Sequence, residues 1–265
     1  MATQTANASA LSPAVKRQIT NIAALGAVLT INALANILPI NGVTTGEISD
    51  SFPSLFTPAG YVFSIWGLIY ALLLAFVVYQ ALPSQKDNPR LERLGYWFAG
   101  SCAFNFSWLL AWHYGAIGLS QLLMFGILAT LITCYLRLGI GQTEVPRAEA
   151  LCVRLPFSIY LGWITVATVA NTSVTLLNYG VTGGGLAPLW TVIAIAAAVG
   201  VGYLVLMNRG DVAFNGVLVW AFAGIAVKQW GATPLVVAGA VVAAVLVALF
   251  IAQAVRKGDP HPLPS

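Results

Sequence analysis

Residues 58–82 read PAGYVFSIWGLIYALLLAFVVYQAL, and this stretch decides the fold. It carries no Asp, Glu, Lys or Arg along its whole length. A helix rises about 1.5 Å per residue, so about 20 apolar residues cross a hydrocarbon layer of about 30 Å. Segment 59–82 therefore reads as a transmembrane helix. Its apolar residues run unbroken and do not alternate, which excludes a strand of a membrane barrel. Seven more segments have the same character, at roughly 17–39, 94–113, 117–139, 155–176, 187–207, 212–230 and 233–255. The link Lys228-Gln229-Trp230-Gly231 is tight, so the last two segments could also form one hairpin dipping partway.

The rest of the chain agrees. Of 265 residues, 59% are hydrophobic and only 8% charged, where a soluble domain carries about 25% charged residues. With a mean hydropathy of +0.85, a soluble enzyme and a disordered chain are excluded. Three cysteines cannot build a disulfide scaffold. Cys102 and Cys134 lie in apolar runs and Cys152 in a short loop, and all three read as packed thiols. The expected fold class is all-α, a polytopic transmembrane helix bundle.

Basic residues set the orientation. One set of loops carries Lys16, Arg17, Lys86, Arg90, Arg93, Arg137, Arg147, Arg154, Arg209, Arg256 and Lys257, and the opposite set only Lys228. Loops rich in Lys and Arg stay cytoplasmic. Both termini are expected in the cytoplasm, with the chain integral to a bacterial inner membrane. The bilayer is the first expected partner. The small net charge of +4, without basic–aromatic clusters, indicates no nucleic acid.

Composition divides the chain after Gly183-Gly184-Gly185. Residues 1–16 form an N-terminal segment. The unit 17–177 holds most of the Asn, Ser and aromatic residues. The unit 187–255 is rich in Ala, Val and Gly, with small residues at Ala194, Ala198 and Gly202 and at Ala240, Ala244 and Ala248. Small residues every four positions let helices approach closely, and this unit is expected to support a homodimer or docking on a membrane complex. The Pro-rich tail 256–265 is expected to be disordered.

Three-four spacing places side chains on one helix face. It aligns Phe63, Trp66 and Tyr70, then Ser101, Asn105, Trp108 and Trp112, then Tyr160, Trp163 and Asn171, and Asn32 with Asn36. A second stripe of the third span, Gly95, Ala99, Ala103, Ser107 and Ala111, suits tight packing. Amides cannot face lipid without a partner, so the asparagines should point inward. The result is a pocket open to the outer side, walled by indoles, floored by amides and roofed by loop 40–58. Trp97, Trp112, Trp190 and Trp230 fit an interfacial belt. His113 reads as an interfacial side chain satisfied by water, with axial haem ligation the less favoured alternative. Lys228 reads as snorkelling to the surface, with no acidic residue at its depth.

Three of these segments resemble the tryptophan-rich sensory protein/translocator protein (TspO/MBR) family. Pro58 to Tyr70 is similar to the second-helix motif that ends W-x-x-L/I-Y. Ala103-Phe-Asn105-Phe-Ser-Trp108 resembles the third-helix A-x-N-x-x-W. Tyr160-Leu-Gly-Trp163, with Asn171 eight residues on, resembles the fifth-helix motif. The resemblance covers about residues 17–177. It implies a five-helix bundle that binds tetrapyrroles (porphyrin or haem) or sterol-like ligands beneath the first loop, with a regulatory or trafficking role. Carried over residue by residue, it implies that Trp66, Asn105, Trp108, Trp163 and Asn171 line or support the site, with Tyr70 and Tyr160 beside them. No obligatory cofactor and no metal site is expected. No HExxH, GxSxG or phosphate loop is present, so enzyme chemistry is not expected, and porphyrin oxidation rests on the resemblance alone. The alternative is a secondary transporter of a small apolar or zwitterionic solute, although no span carries a central charged residue.

Overall fold

The computed structural model describes residues 11–38 and 40–256. Among them every regular element is helical. The main helices are α1 (Pro13–Ile37), α3 (Ile65–Ala81), α5 (Trp97–His113), α6 (Ile117–Arg137), α8 (Leu155–Asn178), α9 (Ala187–Arg209), α10 (Val212–Lys228) and α11 (Pro234–Arg256). Short helices α2 (Thr45–Asp50), α4 (Pro89–Leu94) and α7 (Arg147–Glu149) lie in the connections. Six helical stretches are long and apolar enough to span a membrane. The remaining two, α5 and α10, have 17 residues each, at the lower limit of a span. The eight apolar segments are thus eight helices, and the protein is an integral membrane helix bundle.

Helix ends follow local chemistry. The Ser12 hydroxyl accepts the Val15 N–H at the start of α1, with Pro13 in the first turn. Asp211 caps α10 by accepting the Phe214 N–H at 2.9 Å. Gly210 closes α9 at φ 61°, a left-handed conformation that costs glycine little.

Helices α1, α5, α6, α8 and α3 pack in that cyclic order into a closed five-helix ring. Its basic end is filled by Phe76, Phe98 and Phe157, whose rings meet edge to face at 5.0–5.7 Å. This is the arrangement aromatic quadrupoles favour, and it joins α3, α5 and α8. Gln80 ties α3 to α1: it accepts from Gln18 at its carbonyl (2.6 Å) and from Asn21 at its side chain (3.2 Å), and donates to the Gln18 carbonyl (3.1 Å). Arg90 on α4 pairs with buried Glu149 on α7.

Helices α9, α10 and α11 pack on one another, and α10 docks them against α8. Gly162 permits that approach, since a Cβ there would lie 3.0 Å from the Phe214 carbonyl oxygen and 3.1 Å from Val217. Both ends of the seam are tied. At the basic end the Tyr135 hydroxyl donates to Asp211 at 2.8 Å, and Arg209 donates to the Ile140 carbonyl at 3.3 Å. At the other end the Ala59 N–H donates to the Gly224 carbonyl, and the Trp220 indole donates to the Val62 carbonyl, each at 3.1 Å.

Several expectations change. The first helix begins at Pro13, not at 17. Cys152 sits in a π-helical turn, Ala150–Arg154, that leads into α8, and not in a loop. Lys228 does not snorkel free, because Asp50 of the first loop meets it at 2.7 Å. Of the second stripe of the third span, Ala111 is buried, Gly95 and Ala99 are half-buried, and Ala103 and Ser107 are exposed. Of the small residues of α9 and α11, Ala198, Gly202 and Ala240 are buried, Ala194 and Ala244 are half-buried, and Ala248 is exposed. Arg256 ends α11. The expected N-terminal residues 1–10 and tail residues 257–265 lie outside the described residues, as does the side chain of Asn36.

Candidate functional site

The cavity lies inside the five-helix ring at the end opposite the basic loops. Four of the five helices line it. From α3 and the 3-10 turn before it come Trp66 and Phe63, from α5 Trp108 and Trp112, from α6 Met124, and from α8 Trp163, Ala167 and Asn171. The first loop closes it with Thr45, Ser49, Thr57 and Pro58. The volume is about 50 Å³, enough for a few waters and well below the ~300 Å³ of a small-molecule pocket.

Aromatic rings set the walls. Trp66 meets Trp163 at 6.2 Å and 84°, and Phe63 meets Trp163 at 5.7 Å and 85°. Trp108 and Trp112 stack at 5.8 Å. Amides fix the indoles. The Trp108 N–H donates to the Asn171 carbonyl oxygen at 3.1 Å, and the Asn171 amide donates to Gln121 at 2.8 Å and to Ser120 at 3.3 Å. One side chain thus joins α8 to α5 and α6.

A second layer lies one helical turn toward the basic end. Tyr70 stacks on Trp66 at 5.4 Å, and Tyr160 meets Trp66 edge-on at 5.9 Å. Asn105 donates to the Tyr160 hydroxyl at 3.0 Å and accepts from Asn32 at 3.3 Å. Asn32 also donates to the Val28 carbonyl at 2.9 Å.

Of the predicted site residues, the structure brings Phe63, Trp66, Trp108, Trp163 and Asn171 to the cavity wall. Tyr70, Asn105, Tyr160 and Asn32 instead form the layer behind Trp66. They do not line the cavity, because three-four spacing fixes the face of a residue but not whether a bulkier ring lies in front of it.

Two buried donors at the wall have no partner: the Trp163 indole N–H and the Thr57 hydroxyl. Both residues are almost fully buried, at 2% and 1% exposure. Buried polar groups are nearly always paired, so two orphaned donors around one cavity mark where a ligand acceptor would be welcome.

The first loop is a built lid. Asn41 takes a left-handed turn at φ 58°, which asparagine tolerates, and its amide donates to the His113 carbonyl at 3.1 Å. Helix α2 starts with a capping box. The Glu47 N–H bonds the Thr44 hydroxyl at 3.3 Å, and the Glu47 carboxylate accepts the Thr44 N–H at 2.7 Å. That backbone bond, helped by the hydroxyl, holds the Glu47 carboxyl below its ordinary value of 4.5. The Trp112 indole donates to the Thr45 carbonyl at 3.3 Å.

His113 is not satisfied by water. It is 2% exposed, with Nδ1 3.1 Å from the Ile40 carbonyl and Nε2 3.0 Å from the Thr45 hydroxyl. A carbonyl only accepts, so Nδ1 carries the proton and, in the neutral ring, Nε2 accepts from Thr45. Both nitrogens serve the lid. Among the described residues no group of three His, Cys, Asp or Glu is placed to hold a metal.

The sequence reading missed Trp112, Thr57 and Gln121. Trp112 follows Trp108 by four residues on the same stripe and so carried a signal. It reads as a belt residue only because it is near a helix end.

A family model described as TSPO-like protein matches residues 18–253. The match runs through all three C-terminal helices, beyond the 17–177 carried by the motifs. No curated protein and no solved structure matches the chain.

Proposed function

The chain belongs to the TSPO-like protein family, and from that premise we propose that its lidded cavity binds a flat, mostly apolar ligand. Tetrapyrroles are the favoured class and sterol-like molecules the second, with a regulatory or trafficking role. The supporting observation is the convergence of Trp66, Trp108, Trp112 and Trp163 around one void that holds two unpartnered donors. Indoles provide large rigid contact area, and the donors would fix the ligand's orientation. The closed void is too small for a porphyrin, so entry requires residues 40–58 to lift. His113 does not line the void, so it is not placed to ligate a haem iron there, and a porphyrin would be held by its face. The orientation that puts the lid on the outer side rests on the distribution of Lys and Arg.

Titration of the purified chain with protoporphyrin, followed by tryptophan quenching, tests the proposal. Saturable quenching is expected. Trp66→Ala should weaken it strongly. Trp163→Phe keeps a ring but loses the N–H, and should weaken it about three- to tenfold. Absence of saturation, or an identical curve for both variants, would refute the proposal.

A further inference from the structure

A second cavity lies outside the ring, in the outer part of the seam between the five-helix unit and the C-terminal helices. Its volume is about 250 Å³, about five times that of the lidded cavity. Ser54 and Phe56 of the first loop form one side, Leu176 and Leu177 at the end of α8 the second, and Ala187 and Trp190 at the start of α9 the third. None of the residues around it is Asp, Glu, Lys, Arg or His.

One buried side chain points to an occupant. The Ser54 hydroxyl is buried and has no hydrogen-bond partner. Such a group costs free energy unless something accepts its proton. The hydroxyl calls for an acceptor atom. Most of the remaining wall is aliphatic or aromatic, and the hydroxyls of Ser173 and Thr191 already donate to the Val169 and Ala187 carbonyls, which suits a hydrocarbon chain. An uncharged lining near the membrane interface suits a neutral acceptor better than an anion.

We infer that this seam cavity is a second binding site, which takes one acyl chain and hydrogen-bonds its neutral ester carbonyl, as a membrane glycerolipid would supply. The inference does not depend on what fills the lidded cavity. The wall between the two is one segment: Ser54 and Phe56 face the seam, and Thr57 and Pro58 face the lidded cavity.

Photo-crosslinking of the full chain in lipid nanodiscs tests the site. One arm uses phosphatidylcholine with a diazirine on its acyl chain, the other a free fatty acid with the same group. Crosslinks from the phosphatidylcholine probe should concentrate on peptides covering residues 53–56 and 173–191, above those on the lipid-facing surfaces of α6 and α11. Ala187→Phe, which fills the cavity, should abolish that excess. Ser54→Ala should lower it about three- to tenfold. Thermal unfolding and near-ultraviolet circular dichroism of each variant confirm that it is folded. Even labelling of all lipid-facing helices, or an excess that survives Ala187→Phe in a folded protein, would overturn the site. Labelling by the free acid alone would overturn the assignment of the ester.

Discussion

Asn171→Ala tests whether one amide holds the cavity walls together. Asn171 is 4% exposed and joins three helices through Trp108, Gln121 and Ser120. The replacement removes the shortest bonds to α5 and α6 and leaves the Trp108 N–H buried without an acceptor. Interhelical hydrogen bonds within membranes contribute about 0.6 kcal/mol on average and up to about 1.7 kcal/mol. Two of them give a loss of about 1–3 kcal/mol, which raises the unfolded population about 5- to 150-fold. The assay is reversible unfolding in mixed micelles, run as a double-mutant cycle with Trp108→Phe. That partner removes only the donor and keeps an aromatic ring. Direct interaction predicts a coupling of about 0.6–1.7 kcal/mol between the two changes. Additivity within about 0.3 kcal/mol would mean that the indole and the amide are neighbours without an energetic bond, and the account of the wall would fail.

Three more outcomes follow from single contacts. Gly224→Leu should separate the C-terminal helices from the lid, because its Cβ alone would lie 2.1 Å from Val62 Cγ2 and 3.2 Å from Pro58 Cβ. Protease cleavage within residues 50–60 should rise, and unchanged cleavage would count against the docking. His113→Ala should leave the absorption band of bound haem where it is in the parent, whereas a displaced band would show axial ligation. For Glu47 the folded value is lowered, so its contribution to α2 is complete above the ordinary 4.5 and disappears as pH falls through the lowered value. A spin label at Gly46→Cys should therefore keep constant mobility from about pH 7 down to about pH 5 and loosen only below that range. Loosening near pH 6 would assign the lid to another group.

Hydropathy alone placed all eight helices, because a bilayer accepts little else. Even α5 and α10 were visible at 17 residues. The side chains behind Trp66 were harder. Asn105 and Tyr160 share stripes with Trp108 and Trp163, and only coordinates show that indoles stand between them and the void. The lid helix carried its signal in Thr44-x-x-Glu47, a capping-box pattern, which is easily passed over in a Pro- and Gly-containing loop. The Asp50–Lys228 pair spans 178 positions, and no local pattern contains a contact of that range. The small residues of α9 and α11 read as a partner surface because spacing does not say which neighbour they meet. In the structure Ala198, Gly202 and Ala240 are buried, Gly202 against Leu218 and Asn215 of α10, whereas Ala248 is exposed.

The lid also bounds the affinity that any ligand can show. Four hydrogen bonds hold it to α5: the Asn41 amide to the His113 carbonyl, His113 Nδ1 to the Ile40 carbonyl, the Thr45 hydroxyl to His113 Nε2, and the Trp112 indole to the Thr45 carbonyl. Exposed ion pairs add little, so Asp50–Lys228, whose carboxylate side is 59% exposed, is set aside. At about 0.5–1.5 kcal/mol each, the four favour the closed lid by about 2–6 kcal/mol before the flexibility gained on opening is subtracted. A ligand that binds only the open state has its apparent affinity lowered by the open fraction. Removing a lid bond without touching the cavity wall should therefore tighten binding. Asn41→Ala removes one, at a residue that does not line the void, and should raise apparent porphyrin affinity about two- to tenfold. The gain should appear mainly in the association rate, because the open, binding-competent state becomes more populated. A slower association, or weaker binding with an unchanged rate, would show that the lid contributes contacts to the bound ligand and is not a barrier to its entry.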